Sequence, residues 1–275
     1  MNNNPHIKIL ILNYNGEEII HRCLESVSSI DYDNYSVDVI DNGSTDNSNE
    51  IIIESFPDVN LYQISKNLGY AKGYNYAFNK LRDEKFEYYL ILNNDATLVK
   101  NTLKNLLNNA KYYGHKNIYG PKIFYSNTSK LWFAGGTYNK FLGIARHIGI
   151  NQFEKNISYK TKKTDYITGC CMLISKDTID DLIGFEEFYT MYYEDVDLCH
   201  RALKYGVQCY VVEGNAIYHD VSYTIGNHSI YKKYHMIISQ LKFIYKFNNL
   251  LFFIISIMIN ILLFPIYLIK KIIGL

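Results

Sequence analysis

The chain has 275 residues, 48% apolar and 20% charged, enough for one large domain or two small ones around a sizeable core. Its 28 basic and 27 acidic residues leave a formal net charge of +1, and Lys160, Lys162 and Lys163 are scattered basic residues rather than a block. No general field draws a polyanion, which argues against a nucleic-acid partner.

Ile7 to Leu12 is an apolar run closed by Asn13-Tyr14-Asn15-Gly16, a buried strand ending in a turn. Lys8 and the shortness of the run exclude a secretory leader there. Ile19, Ile20, Cys23, Leu24 and Val27 then recur at helical spacing. Val37 to Ile40 is a second strand, and the loop Asp41-Asn42-Gly43-Ser44-Thr45-Asp46 offers Asp46 as the cap of a helix through Ile51–Ile53. Val59 to Ile64 is a third strand, leading through Asn67, Gly69, Gly73 and Asn75 into a helix that runs to about Leu81. Tyr88 to Leu92 is a fourth, ending at Asn93-Asn94-Asp95. Strands alternating with helices predict right-handed crossovers and a mostly parallel sheet. Ligands bind beyond the carboxyl ends of such strands, where the polar loops at 13–16, 41–46, 65–69 and 93–95 fall together. The glycines at 69 and 73 match neither a dinucleotide fingerprint nor a Walker loop; turn chemistry and close helix packing explain a lone pair equally well.

The second half is less regular. Residues 131–165, with Gly135, Gly136, Gly143 and Gly149, read as a long loop over the site, and Asp165 to Ile174 as a strand whose Gly169 permits close approach. A short helix at 176–183 precedes Tyr192-Tyr193-Glu194-Asp195-Val196-Asp197-Leu198-Cys199-His200-Arg201. Its three acids would occupy the first turn of a helix at 194–205, where capping alone accounts for them. A second acidic loop at Asp95 on the same sheet suggests instead a site handling a metal and a proton. Val207 to Val212 is a further strand, and His219 follows it as either a hydrogen-bonded residue or a ligand. Five cysteines (Cys23, Cys170, Cys171, Cys199, Cys209) form an odd set without C-x-x-C, and read as reduced thiols of a cytosolic protein.

Leu250 to Ile269 is nearly all apolar, interrupted by Ser256, Asn260 and Pro265. That length reaches across a bilayer core of ~30 Å. A buried helical hairpin and an in-plane anchor compete with a span. Lys242 and Lys246 before it and Lys270 and Lys271 after it suit the in-plane form, each meeting anionic head groups.

Taken in order, these loops resemble the inverting family 2 glycosyltransferases of GT-A fold, within them the rhamnosyltransferase-like branch of cell-surface polysaccharide synthesis. The matching stretches are Asn13-Tyr14-Asn15, 41–46, 67–75, Leu92 to Asp95, Gly135-Gly136, Thr168-Gly169, 193–201 and His219, spread over residues 6–222. The resemblance implies an α/β GT-A domain over 1–225, with a nucleotide-binding half (1–98) and an acceptor half (99–225), and the apolar run makes 226–275 a C-terminal helical membrane-associating segment. It implies donor contacts from Asn13, Asn15, Asp41, Asn67, Gly69, Gly73, Asn75, Asn93 and Asn94, with Asp41 on the nucleotide base. It makes Asp95 the ligand of a divalent metal, Mg²⁺ or Mn²⁺, and Asp195 the general base, with Glu194, Gly169 and Arg201 on the acceptor side. Two positions depart from the pattern: the D-x-D motif is Asn93-Asn94-Asp95, and Asn215 stands where relatives carry Pro. With one carboxylate left, His219 is the second ligand to test.

The implied activity is hexosyl transfer from a nucleotide-sugar donor, dTDP-rhamnose or a UDP-sugar, to a saccharide or lipid-linked acceptor at the cytoplasmic face of the cell membrane. Its chemistry suits these parts, because displacing a nucleoside diphosphate needs charge neutralisation and the acceptor hydroxyl must lose a proton. Two alternatives remain. A sugar-phosphate nucleotidyltransferase would want a basic loop after the first strand, whereas Asn13 to Glu17 has no Lys or Arg; a non-catalytic membrane-bound assembly partner would not need both Asp95 and Asp195.

Overall fold

The computed structural model describes residues 4–154, 160–220 and 230–272. The first half follows the expected alternation: β1 (Ile7–Asn13), α1 (Ile20–Ser28), β2 (Tyr35–Asp41), α2 (Ser48–Ser55), β3 (Asn60–Gln63), α3 (Tyr70–Lys80) and β4 (Tyr88–Asn93). These four strands pair in parallel in the order β4-β1-β2-β3. Buried Ile7, Ile9, Leu10 and Ile11 make β1 a central strand, and Ile20, Cys23, Leu24 and Val27 give α1 the buried stripe that its spacing predicts. At α2 the cap differs slightly, because Asn47 is the capping position, while Asp46 takes the Ser48 N–H at 3.2 Å from one residue earlier.

The second half comprises β5 (Ala96–Thr97), α4 (Thr102–Tyr113), β6 (Ile118–Tyr125), β7 (Leu131–Phe133), β8 (Gly136–Tyr138), β9 (Ala145–His147), β10 (Lys162–Thr164), β11 (Cys171–Ser175), α5 (Lys176–Leu182), α6 (Glu194–Lys204) and β12 (Cys209–His219). Here β11 runs antiparallel between β4 and β6, and β12 parallel beside β6, extending the sheet to β10-β12-β6-β11-β4-β1-β2-β3. Pro121 stands inside β6, where a missing N–H would normally be costly. It lies beyond the one pair that β6 makes with β11 and faces Val212, where β12 shifts register.

Three expectations are corrected. Residues 131–165 are not one long loop: β7 joins the main sheet, β8 and β9 form a hairpin, and β10 edges the sheet. The strand expected from Asp165 begins only at Cys171, and β12 continues through His219 instead of stopping at Val212.

Two C-terminal helices follow, α7 (Ile230–Phe247) and α8 (Leu250–Ile272). α7 packs against the preceding part of the chain. Phe243 and Ile244 of α7 are buried, Ser239 donates to the Met191 carbonyl at 2.6 Å, and Gln240 donates to the Leu142 carbonyl at 2.7 Å. Lys242 donates to the Phe188 carbonyl at the surface, and half-buried Lys246 donates to Glu186 and Asp197. Gln240 meets Ser256 of α8 at 3.2 Å. Among the described residues no helix is long and apolar enough to cross a membrane.

Candidate active site

Four loops meet at the carboxyl edge of the parallel strands and are laced by side-chain amides. Asn13, buried at the end of β1, donates to Ser48 Oγ at 2.9 Å and accepts from Asn94 at 2.9 Å, joining the loops after β1, β2 and β4. Asn15 accepts the Thr45 N–H at 2.9 Å. Asn42 donates to Asn67 at 3.0 Å and accepts the Leu68 N–H, and Asn67 accepts the Gly69 N–H at 2.8 Å. Asp41 is buried, with the Ser44 N–H and Asn49 amide on its carboxylate. Two of the expected donor residues serve packing. A Cβ on Gly73 would stand 2.5 Å from Leu12 Cδ1, so this glycine lets α3 lie on β1. Asn75 points the other way, donating to the Phe185 carbonyl at 2.8 Å and accepting its N–H at 2.9 Å.

Across the seam between β4 and β11 lie the acids. Asn93 donates its N–H to the Cys170 carbonyl at 2.9 Å, and next along the chain Gly169 donates its N–H to Asp195 Oδ2 at 3.0 Å. A Cβ at Gly169 would come 2.2 Å from Tyr70 Oη, which donates to the Gly169 carbonyl. Only glycine admits both contacts. Asp195 also accepts the Val196 N–H at 2.8 Å in the first turn of α6. Immediately before that turn Tyr192 and Tyr193 have φ of 66° and 72°, a left-handed pair that bulky residues adopt only when held. Tyr193 is held by its hydroxyl, which donates to the Gly143 carbonyl at 2.8 Å.

The adjacent carboxylates differ in environment. Burial and the neighbouring Asp195 charge push Glu194 up to about 8. Burial also raises Asp195, but its N–H donors from Gly169 and Val196 favour the ionised form. The pair therefore carries its first negative charge on Asp195, with Glu194 protonated at neutral pH. A stability consequence follows. As pH rises, unfolded Glu194 ionises near 4.5 while folded Glu194 holds its proton to about 8, so native stability from this group is full below 4.5 and lost by about 8. Glu194→Gln should flatten the decline by roughly a few kcal/mol. Urea unfolding of both chains from pH 4 to 9 measures it, and parallel curves would refute the assignment.

Asp197 and Arg201 form a separate network. Asp197 is fully buried and is met by Arg201 Nε at 2.5 Å, Lys246 Nζ at 2.8 Å and Tyr189 Oη at 3.0 Å. Arg201 gives its other two nitrogens to the Leu182 and Gly184 carbonyls. All three guanidinium nitrogens thus make contacts within the fold. Lys246 was not anticipated from its sequence position.

Asp95 and His219 converge. β5 pairs with the end of β12, Ala96 opposite His219, and the Asp220 N–H reaches the Asp95 carbonyl at 2.9 Å. Asp95 Oδ1 lies 3.0 Å from His219 Nε2, yet the two are out of line for a hydrogen bond; Asp95 Oδ1 and His219 Nδ1 are both buried without hydrogen-bond partners. The pair offers a carboxylate oxygen and an imidazole nitrogen, donors that a divalent cation accepts, and leaves buried polar atoms unpaired. Among the described residues no cluster of three or more His, Cys, Asp or Glu could hold a metal, so further ligands would come from a diphosphate and water.

A carboxylate pair thus lies across a strand seam from a polar loop edge. The chain belongs to glycosyl transferase family 2, whose model matches residues 8–183, and it is a glycosyltransferase. It is 24% identical over 233 residues to the N-acetylglucosaminyl-diphospho-decaprenol L-rhamnosyltransferase of Mycobacterium tuberculosis, covering 78% of this chain and 76% of that one. It is 26% identical over 214 residues to the low-salt glycan biosynthesis hexosyltransferase Agl10 of Haloferax volcanii, covering 75% and 66%. Among solved structures, GalNAc-T7 with UDP, GalNAc and Mn²⁺ is similar at TM-score 0.67 and 13% identity, over 95% of this chain and 58% of that one. Residues 1–349 of S. aureus TarS with UDP are similar at 0.58 and 19%, over 87% and 65%.

Proposed function

We propose that this glycosyltransferase moves a sugar, in one inverting step, from a nucleoside diphosphate donor to a saccharide or lipid-linked acceptor in cell-surface polysaccharide synthesis. The observation that carries the reading is the seam at 169–170, which fastens Asp195 to the strand end leading to Asp95. Ionised Asp195 takes the acceptor hydroxyl proton, a contribution of typically ~10²–10⁴-fold. The hydroxyl oxygen bonds to the anomeric carbon as the bond to the diphosphate oxygen breaks on the opposite face, so configuration inverts. Asp95 and His219 would hold Mg²⁺ or Mn²⁺, which when bound neutralises charge on the leaving diphosphate. The amide-laced loops around Asn13, Asn15, Asp41 and Asn67 frame the nucleotide. The mycobacterial relative makes dTDP-rhamnose the first donor to test, and the UDP-bound TarS structure makes UDP-sugars the second. A donor panel screened by thermal shift with Mn²⁺, followed by product analysis, tests this: the right donor raises the melting temperature and yields inverted product. A product of retained configuration refutes it.

The reading extends to the cytoplasmic face of the cell membrane, where a lipid-linked acceptor presents its sugar. Support comes from α8, which exposes Ile254, Met258, Ile261 and Leu262 at spacings that share one helix face. A chain ending at Asn249 keeps α7 and its Lys246 contacts. It should stay folded, bind donor unchanged, leave anionic vesicles, and glycosylate a lipid-linked acceptor roughly tenfold more slowly for want of local concentration. Misfolding or lost donor binding would make α8 part of the core instead.

A further inference from the structure

Beside the Asp95–His219 pair stands an aromatic stack that the chemistry above does not use. Trp132, the single tryptophan of the chain, has its ring centroid 4.4 Å from that of His219, at an interplanar angle of 71°. On its other contact it meets His147, also at 4.4 Å and at 84°. The ladder explains the meeting, because Phe124 of β6 pairs with Leu131 of β7 on one side and with Tyr218 of β12 on the other. His147 is itself fixed. Its Nδ1 lies 3.2 Å from the Trp132 carbonyl oxygen, and Phe133 packs edge-on at 5.1 Å.

His219 is the member that needs this support. An imidazole that ligates a metal ordinarily has its ring plane fixed by a hydrogen bond from the other ring nitrogen to a carboxylate, carbonyl or water. Here Nε2 faces Asp95, and Nδ1 is buried with no hydrogen-bond partner. What remains to orient the ring is what packs against it. Edge-to-face aromatic packing has a geometric preference, so it can fix a plane where a hydrogen bond does not.

We propose that Trp132, braced by His147, is the positioning residue for His219, holding the imidazole in the plane that lets Nε2 and Asp95 Oδ1 share one divalent cation. The inference rests on reading Asp95 and His219 as the metal seat. It assigns Trp132 and His147 a task in metal affinity, with none in binding the metal-free nucleotide.

The test titrates Mn²⁺ into the full chain with UDP present, reading free Mn²⁺ by electron paramagnetic resonance, for the unaltered protein, Trp132→Phe, Trp132→Leu and His147→Ala. UDP affinity in chelator is the control. Trp132→Leu and His147→Ala should weaken Mn²⁺ by roughly 10–100-fold, the usual loss when a supporting group is removed. Trp132→Phe should hold it within about threefold, because a ring still faces the imidazole. UDP affinity in chelator should be the same in all four. Trp132 fluorescence adds a direct readout in the unaltered chain and in His147→Ala: paramagnetic Mn²⁺ seated beside the indole quenches it. No Mn²⁺ binding to the unaltered protein overturns the metal reading and this inference with it. Mn²⁺ binding that is equal in all four chains, or lost equally in Trp132→Phe and Trp132→Leu, overturns the stack and leaves the metal seat standing.

Discussion

Asp195→Asn is expected to lower turnover by roughly 10²–10⁴-fold, the range of a positioned base, with donor affinity changed by less than about twofold. The two effects separate because of where Asp195 is attached. Its carboxylate is held by the Gly169 and Val196 N–H groups, on the strand seam and the first turn of α6, and among the described residues it makes no hydrogen bond to the amide-laced loops around Asn13, Asn42 and Asn67. An amide of the same shape keeps an oxygen on one of those donors and sets its NH2 against the other, which is why the fold has to be checked beside the activity. What it cannot do is accept the acceptor proton. Donor affinity and turnover should be measured on one preparation, with a melting curve to show that the fold is retained. Residual activity within tenfold of the parent would remove Asp195 from the role. Glu194 would not simply replace it, since its burial, which does not depend on Asp195, still pushes that carboxyl up.

The nucleotide-binding half was readable because its signals are local. β4 is apolar up to Asn93, β1 is apolar but for Lys8 and its closing Asn13, β2 carries Val37, Val39 and Ile40, and α1 has a helical stripe, so pattern and fold agree at each step. The acceptor half is built otherwise. β7, β8, β9 and β10 have three residues each, too few to show a period, and β6 carries Gly120, Pro121 and Lys122 inside a strand that only its neighbours make possible. α4 has ordinary helical composition, yet it sits between the acidic loop and β6, where no motif drew attention to it. For the site, residue types in short motifs carried Asp95, Glu194, Asp195 and Gly169. Contacts between distant segments stayed hidden. Lys246 reaches Asp197 across 49 positions, Trp132 meets His219 only through the β7-β6-β12 ladder, and Arg201 bonds to the Leu182 and Gly184 carbonyls. Nor did the lysines flanking the apolar helix show that Lys242 and Lys246 also bond to the segment at 186–197.

Removing the metal seat should separate its two residues. Asp95→Ala is expected to lose metal-dependent nucleotide binding by more than ~100-fold, beyond the ~10–100-fold that supporting groups typically cost. His219→Ala should lose less. The reason is the donor chemistry: Mg²⁺ and Mn²⁺ prefer oxygen ligands, and Asp95 supplies both the oxygen and the negative charge, whereas an imidazole supplies a neutral nitrogen that water can replace. The backbone should survive either change. Asp95 is placed by β5 pairing with β12 and by the Asp220 N–H on its carbonyl, neither of which uses the side chain. Removing Asp95 also leaves His219 Nε2 facing space that water can fill, so the loss should appear in binding before it appears in folding. Nucleotide affinity with and without Mn²⁺ in both variants, beside transfer by the unaltered chain in chelator, gives the comparison. Transfer that persists unchanged in chelator would mean that no metal takes part, and Asp95 and His219 would then have to be read as a misaligned buried pair, with the diphosphate charge met by a cation elsewhere on the chain.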